Sequence, residues 1–150
     1  RSGNEQGVIV EATGQAGLRA LLGGGPAAGG EKGQAALLAH DARDRPQIFA
    51  DGLHVVPQAD GTTAIGSTSE RVWSGTGTDE RLEALIARAR ALVPALAGAA
   101  VLDRWAGVRP RWTTRAPLIG AHPARPGAFV ANGGYKIGFA VAPLCGRMLA

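Results

Sequence analysis

A chain of 150 residues with a formal net charge of +4 has room for one hydrophobic core, or for one domain together with pieces of another. No apolar run approaches the ~20 residues of a membrane-spanning helix, and the opening Arg1 to Gln6 lacks the apolar stretch of a secretory leader. The lone cysteine, Cys145, excludes an internal disulfide and fits a reducing, cytoplasmic compartment. Nucleic acid is excluded as a partner. The densest basic run is Arg104, Arg109, Arg111 and Arg115, few aromatics interleave with it, and no zinc, helix-turn-helix or RNP pattern accompanies it.

In chain order, residues 7–12 predict a short buried strand of parallel type, because they are mostly apolar. Residues 16–22 allow about two helical turns, and the glycine-rich, proline-interrupted stretch 23–30 reads as a linker. Short strands follow over 34–39, 47–50, 53–58 and 63–67, with Asp51-Gly52 and Asp60-Gly61 as hairpin signals, giving an antiparallel sheet of about four strands. Thr78 is placed to cap the next helix, with Asp79 and Glu80 in its first turn. Leu82, Leu85, Ile86, Ala89 and Leu92 recur at helical spacing, Arg81, Arg88 and Arg90 face solvent, and Pro94 lies just past the end. The sheet is the natural partner for that apolar face. Residues 101–108 return as a strand, 129–131 form another beside residues 7–12, and a last apolar helix starts at Gly138 with Cys145 buried inside it.

The most informative stretch is Phe129 to Pro143, read as a strand, a glycine turn and the start of a helix. Such a turn brings backbone N–H groups and a positive helix end against an electron-rich ligand, and Lys136 is the only cation in it. Taken alone the pattern also suits a plain connector. The order of motifs adds to it: Val8 to Gly14 ending in Ala12-Thr13-Gly14, Lys32-Gly33-Gln34, His54 to Gln58, Asp60 to Glu70, Arg104 to Pro110, and Ala116 to Gly120 before the turn. This succession resembles the C-terminal half of the D-amino-acid-oxidase-like flavoproteins, the superfamily of glycine oxidase and monomeric sarcosine oxidase, over roughly residues 6–150. The resemblance implies an α+β fold: an antiparallel-sheet substrate domain with a packed helix, plus the C-terminal strand and helix of a Rossmann-type FAD domain. It divides the chain into 1–28 (part of the FAD domain and linker), 29–115 (substrate domain) and 116–150 (return to the FAD domain).

The same resemblance implies FAD as a non-covalent cofactor and oxidation of the C–N bond of an amino acid or secondary amine. Arg109, in Ala106-Gly107-Val108-Arg109-Pro110, matches the family's Gly-Leu-Arg-Pro motif and is implied to hold the substrate carboxylate, a task suited to a planar guanidinium. Lys136 is implied to lie near the flavin's pyrimidine edge or the substrate carboxylate. Tyr135 and His54 are further substrate-side candidates, each with a packing role as the alternative. Ala12, Thr13 and Gly14 match the family's Ala-Thr/Ala-Gly turn beside the dinucleotide; Gly133, Gly134, Ile137 and Gly138 complete the implied cofactor contacts. The family's histidine in the turn is absent, and Arg111 to Arg115 stand where sarcosine oxidase attaches its flavin.

No residue is expected to serve as a catalytic acid or base, and no metal site is expected, since His40, His54 and His122 lack ligand spacing. A Gly-x-Gly-x-x-Gly turn for the pyrophosphate is missing. The chain therefore reads as lacking an N-terminal FAD-binding half and as holding FAD poorly alone. The alternative is a non-catalytic interaction module, whose strands 7–12 and 129–131 would expose apolar edges suited to a homodimer.

Overall fold

The computed structural model describes residues 7–25 and 29–150. It is a mixed α+β protein that divides into two units, one made of the described residues up to Glu31 together with Arg109–Ala150, the other of Lys32–Val108.

In the second unit, β2 (Gly29–Leu38) is extended by its first residues from the other unit and lies within a five-stranded sheet of order β3-β4-β5-β2-β6. The other strands are β3 (Ile48–Ala50), β4 (Leu53–Pro57), β5 (Thr63–Gly66) and β6 (Val101–Arg111). Thus β2 starts inside the expected linker, and β6 adds a fifth strand to the four anticipated. The β3–β4 turn is Asp51-Gly52 with φ of 48° and 76°, the pair of positive angles that matches the twist of a two-residue hairpin. Alternation along β4 sends Leu53 and Val55 to one face and His54 to the other.

The helix α2 (Glu80–Leu92) covers the first of those faces. Leu82, Leu85, Ile86 and Ala89 form one cluster with Ala36, Leu38, Leu53, Val55 and Ile65, and each large side chain so buried contributes about 1.5–3 kcal/mol. Leu92 departs from the expected stripe and is exposed, because the helix ends there before Pro94 opens a 3-10 turn. The cap is Asp79 rather than Thr78: its carboxylate accepts the Arg81 N–H.

Asp79 also belongs to a polar network that the sequence did not reveal. Lys32, 1 % exposed, reaches Asp79 at 2.9 Å and Glu70 at 3.7 Å. Gln34 Nε2 donates to Glu70 and Asp79, the Asp79 N–H donates to Gln34 Oε1, and Arg81 reaches Glu70 at 2.7 Å. The start of α2 is thereby tied to β2. Hydrogen bonds from Gln34 and Lys32 hold the Asp79 carboxyl at about 2. For Glu70, burial pushes upward, but donors on Thr68, Gln34 and Arg81 outweigh it and leave the carboxyl below its ordinary range.

In the first unit, β1 (Ile9–Glu11), β8 (Ala128–Asn132) and β7 (Leu118–Ala121) form a three-stranded sheet of order β1-β8-β7. The β1–β8 pair is parallel, with Ile9 opposite Ala128, as the sequence placed it. β7 was not anticipated as a strand; it pairs antiparallel with β8, so β8 is central rather than an exposed edge. β1 is parallel but not buried: Val8, Ile9 and Val10 are 70, 55 and 47 % exposed. Two helices complete the unit, α1 (Gly14–Leu21) and α3 (Gly138–Leu149). No residue of α3 is buried, and Cys145 is half-buried rather than buried. Pro143 falls inside α3, where its ring removes the N–H that would reach Phe139.

Candidate functional site

β8 ends at Asn132, and the chain turns sharply into α3. Gly133 has φ 70°, and a side chain there would meet Trp112 Cβ at 3.2 Å; Tyr135 also adopts a positive φ, 47°. A Cβ on Gly134 would stand 2.7 Å from Gly138 Cα. The missing side chains thus serve close packing of the turn on Trp112 and on the first residue of α3. Gly134→Ala should cost about 1–3 kcal/mol, since backbone must move to make room, and a shift of the thermal midpoint would measure it. The Tyr135 N–H donates to Pro110 O at 3.0 Å, and Gly134 forms a bridge with Arg111. These contacts bring the turn against the end of β6 that carries half-buried Arg109.

Asn132 joins this turn to the Ala12-Thr13-Gly14 segment. Only 8 % exposed, it donates from Nδ2 to Gly14 O at 3.0 Å and accepts the Gly133 N–H at 2.7 Å. Beside that seam lies a hollow of about 530 Å³. Ala12, Gly134 and Gly138, from both motifs, line it together with Asn132 and apolar side chains of β1, β8 and α3, and no charged residue is among the lining. α3 starts at its rim with no acidic residue in the first turn and no side-chain cap, which leaves its first N–H groups for a partner. Thr13 faces a different hollow, shared with Glu11, His122 and Arg125. Gly14, at φ 64°, contributes its carbonyl to Asn132.

The turn's two polar side chains meet a residue that the sequence reading missed. Glu31, 5 % exposed, accepts from Tyr135 Oη at 2.6 Å and pairs with Lys136 Nζ at 3.0 Å, while Lys136 lies 5.4 Å from the Tyr135 ring centre. Lys136, Gly133, Ile137 and Arg109 are not among the residues lining the hollow. A charged residue opening an apolar strand beside Lys32 was the available signal for Glu31, and an asparagine before paired glycines the signal for Asn132. His54 lies in the other unit, on the sheet face away from α2, opposite Phe49 with ring centres 4.4 Å apart. No metal-binding cluster occurs among the described residues.

A protein-family model described as FAD dependent oxidoreductase matches residues 2–150. The chain belongs to this family. It is 38 % identical over 104 residues to a glycine oxidase of Pseudomonas aeruginosa, covering 69 % of the chain and 29 % of that relative. The solved glycine oxidase of Geobacillus kaustophilus superposes with a TM-score of 0.76 at 30 % identity, over 95 % of this chain and 40 % of that one. Iminodiacetate oxidase from a Chelativorans species superposes with a TM-score of 0.73 at 25 % identity, over 100 % and 42 %. The chain thus spans less than half the length of these relatives. Among its described residues no helix is long and apolar enough to cross a membrane.

Proposed function

We propose that this chain is the substrate-side and ring-side portion of an FAD-dependent oxidoreductase that oxidises the C–N bond of an amino acid or secondary amine. The observation that carries the reading is the Asn132 seam, which places Ala12 beside Gly134 and Gly138 around one uncharged hollow at the start of α3. The donor set fits a flavin: glycine backbone, apolar walls and the positive end of a helix without a competing carboxylate. Ala12, Gly134 and Gly138 would frame it, while Thr13, Gly14, Gly133 and Ile137 would shape the two turns that hold those three in place. When bound, FAD supplies the two-electron acceptor for a hydride leaving the substrate carbon.

The chain's own share is orientation. Arg109 would hold the amino acid's carboxylate through two parallel N–H donors and so fix the α-carbon. Pro110 and Arg111, bonded to the turn, keep Arg109 in register with the start of α3. The neutral amine's nitrogen lone pair drives the hydride departure, so no side chain need act as a base. The imine left on the substrate would take up water and part into a carbonyl compound and an amine. His54, tilted against Phe49, is assigned to a wall of the substrate domain, and the lone thiol supports a cytoplasmic setting.

The exposed apolar residues of β1 and α3, among them Phe139 at 101 % and Met148 at 65 %, favour a second statement: the chain requires a complementary FAD-binding half, and without it associates with a second copy. Purified alone, it should show no stoichiometric flavin band in its absorbance spectrum and should sediment as a dimer. Bound flavin on the isolated chain would overturn the need for a second half.

A further inference from the structure

The Glu31 carboxylate is buried, yet both of its oxygens are engaged by consecutive residues of the turn that opens α3. One oxygen takes the phenol of Tyr135 at 2.6 Å, a short bond of the kind made to a charged acceptor, and the other takes the ammonium of Lys136 at 3.0 Å. Tyr135 sits at φ 47°, a conformation that a bulky residue adopts only when its surroundings hold it there. The Tyr135 N–H is bonded to Pro110 O, so the same residue is fixed at its backbone by β6 and at its ring tip by Glu31.

We infer that Glu31 is a positioning residue for this site: it clamps Tyr135 and Lys136, sets the turn that presents the start of α3, and cancels the charge Lys136 would bring there. The inference rests on the flavin-oxidoreductase reading for its functional meaning. With the turn's ammonium neutralised internally, recognition of a substrate carboxylate falls to Arg109, which suits a monocarboxylate amine. The clamp itself is a property of the chain and is tested without flavin, so its failure is separable from failure of that reading.

The sequence supplies clean reporters, because Tyr135 is its only tyrosine and Lys32 and Lys136 its only lysines. In Glu31→Gln, the side-chain ammonium signal of Lys136 should shift and exchange faster with water while that of Lys32 stays put. Amide hydrogen exchange at Tyr135 and Ile137 should accelerate by about tenfold or more, with β4 and β5 unchanged. Lys136→Met approaches the pair from its half-exposed partner, where folding is not at risk, and should accelerate the same amides. Reversing the pair, Glu31→Lys with Lys136→Glu, should restore protection that neither single change retains. Acetate, standing in for a substrate carboxylate, should perturb the turn's amides in Glu31→Gln at about one-fifth of the concentration needed in the parent chain. Loss of protection spread evenly over both units would reduce Glu31 to general packing and overturn the proposal. So would unaltered Tyr135 and Lys136 signals, or an acetate response equal in both proteins.

Discussion

Replacing Arg109 by alanine, in a flavin-loaded protein of full family length that carries this chain, should lower kcat/KM for amino acids by about 100-fold or more. The substitution removes two charge-assisted hydrogen bonds to a carboxylate, each worth about 1.5–3 kcal/mol in a water-poor site. Most of the loss should appear in KM for substrates bound chiefly by that group, and in kcat where the bond also aligns the α-carbon. Amines without a carboxylate should be turned over at unchanged rates. Lysine at the same position should recover only part of the activity, because a point charge cannot reproduce the planar fork. Steady-state kinetics on paired substrates, such as an amino acid and its decarboxylated amine, reads the difference directly. Equal losses on both would remove Arg109 from the role.

The second large effect concerns the fold. Glu70→Ala should destabilise the protein by about 3 kcal/mol, since it leaves Lys32, 1 % exposed, with a weakened set of partners in a region closed to water. By contrast, removing Arg43, whose pair with Asp41 is half-exposed on both sides, should leave the thermal midpoint unchanged. The network also sets an acid limit. Asp79 and Glu70 have folded carboxyls below their ordinary range, and on unfolding they return to about 4. A depressed folded value means the unfolded state binds more protons, so stability falls as pH falls. The contribution is complete above about pH 5 and disappears as pH drops toward the folded value of Asp79, about 2. Urea melts at steps across that range should show the decline in the parent chain and a flatter profile in Asp79→Asn.

The parts legible in the sequence were those governed by local rules. Asp51-Gly52 announced its hairpin because few residue pairs accept two positive φ angles in succession. The spacing of Leu82, Leu85, Ile86 and Ala89 gave α2 and the face it buries. Motif order gave the family, and with it the parallel pairing of β1 and β8, 118 residues apart along the seam from Gly14 to Asn132. What stayed hidden depends on partners distant in the chain. Lys32 and Gln34 look like ordinary polar residues of a strand until β2 is set against Glu70 and the start of α2. Glu31 has no meaning before Tyr135 and Lys136 fold back to it. Burial of β1 and of Cys145 was overestimated for a simpler reason: apolar character marks a surface to be covered, and in this chain no described element covers β1 or α3 fully.

The hollow bounded by Ala12, Gly134 and Gly138 is the proposed place where flavin meets this chain. A crystal structure of the flavin-loaded, full-length protein with a carboxylate inhibitor tests it most directly. The predicted result is a flavin ring in van der Waals contact with the backbone at Gly134 and Gly138, and the inhibitor's carboxylate on Arg109. A flavin bounded by neither glycine, with Arg109 turned to solvent, would contradict it.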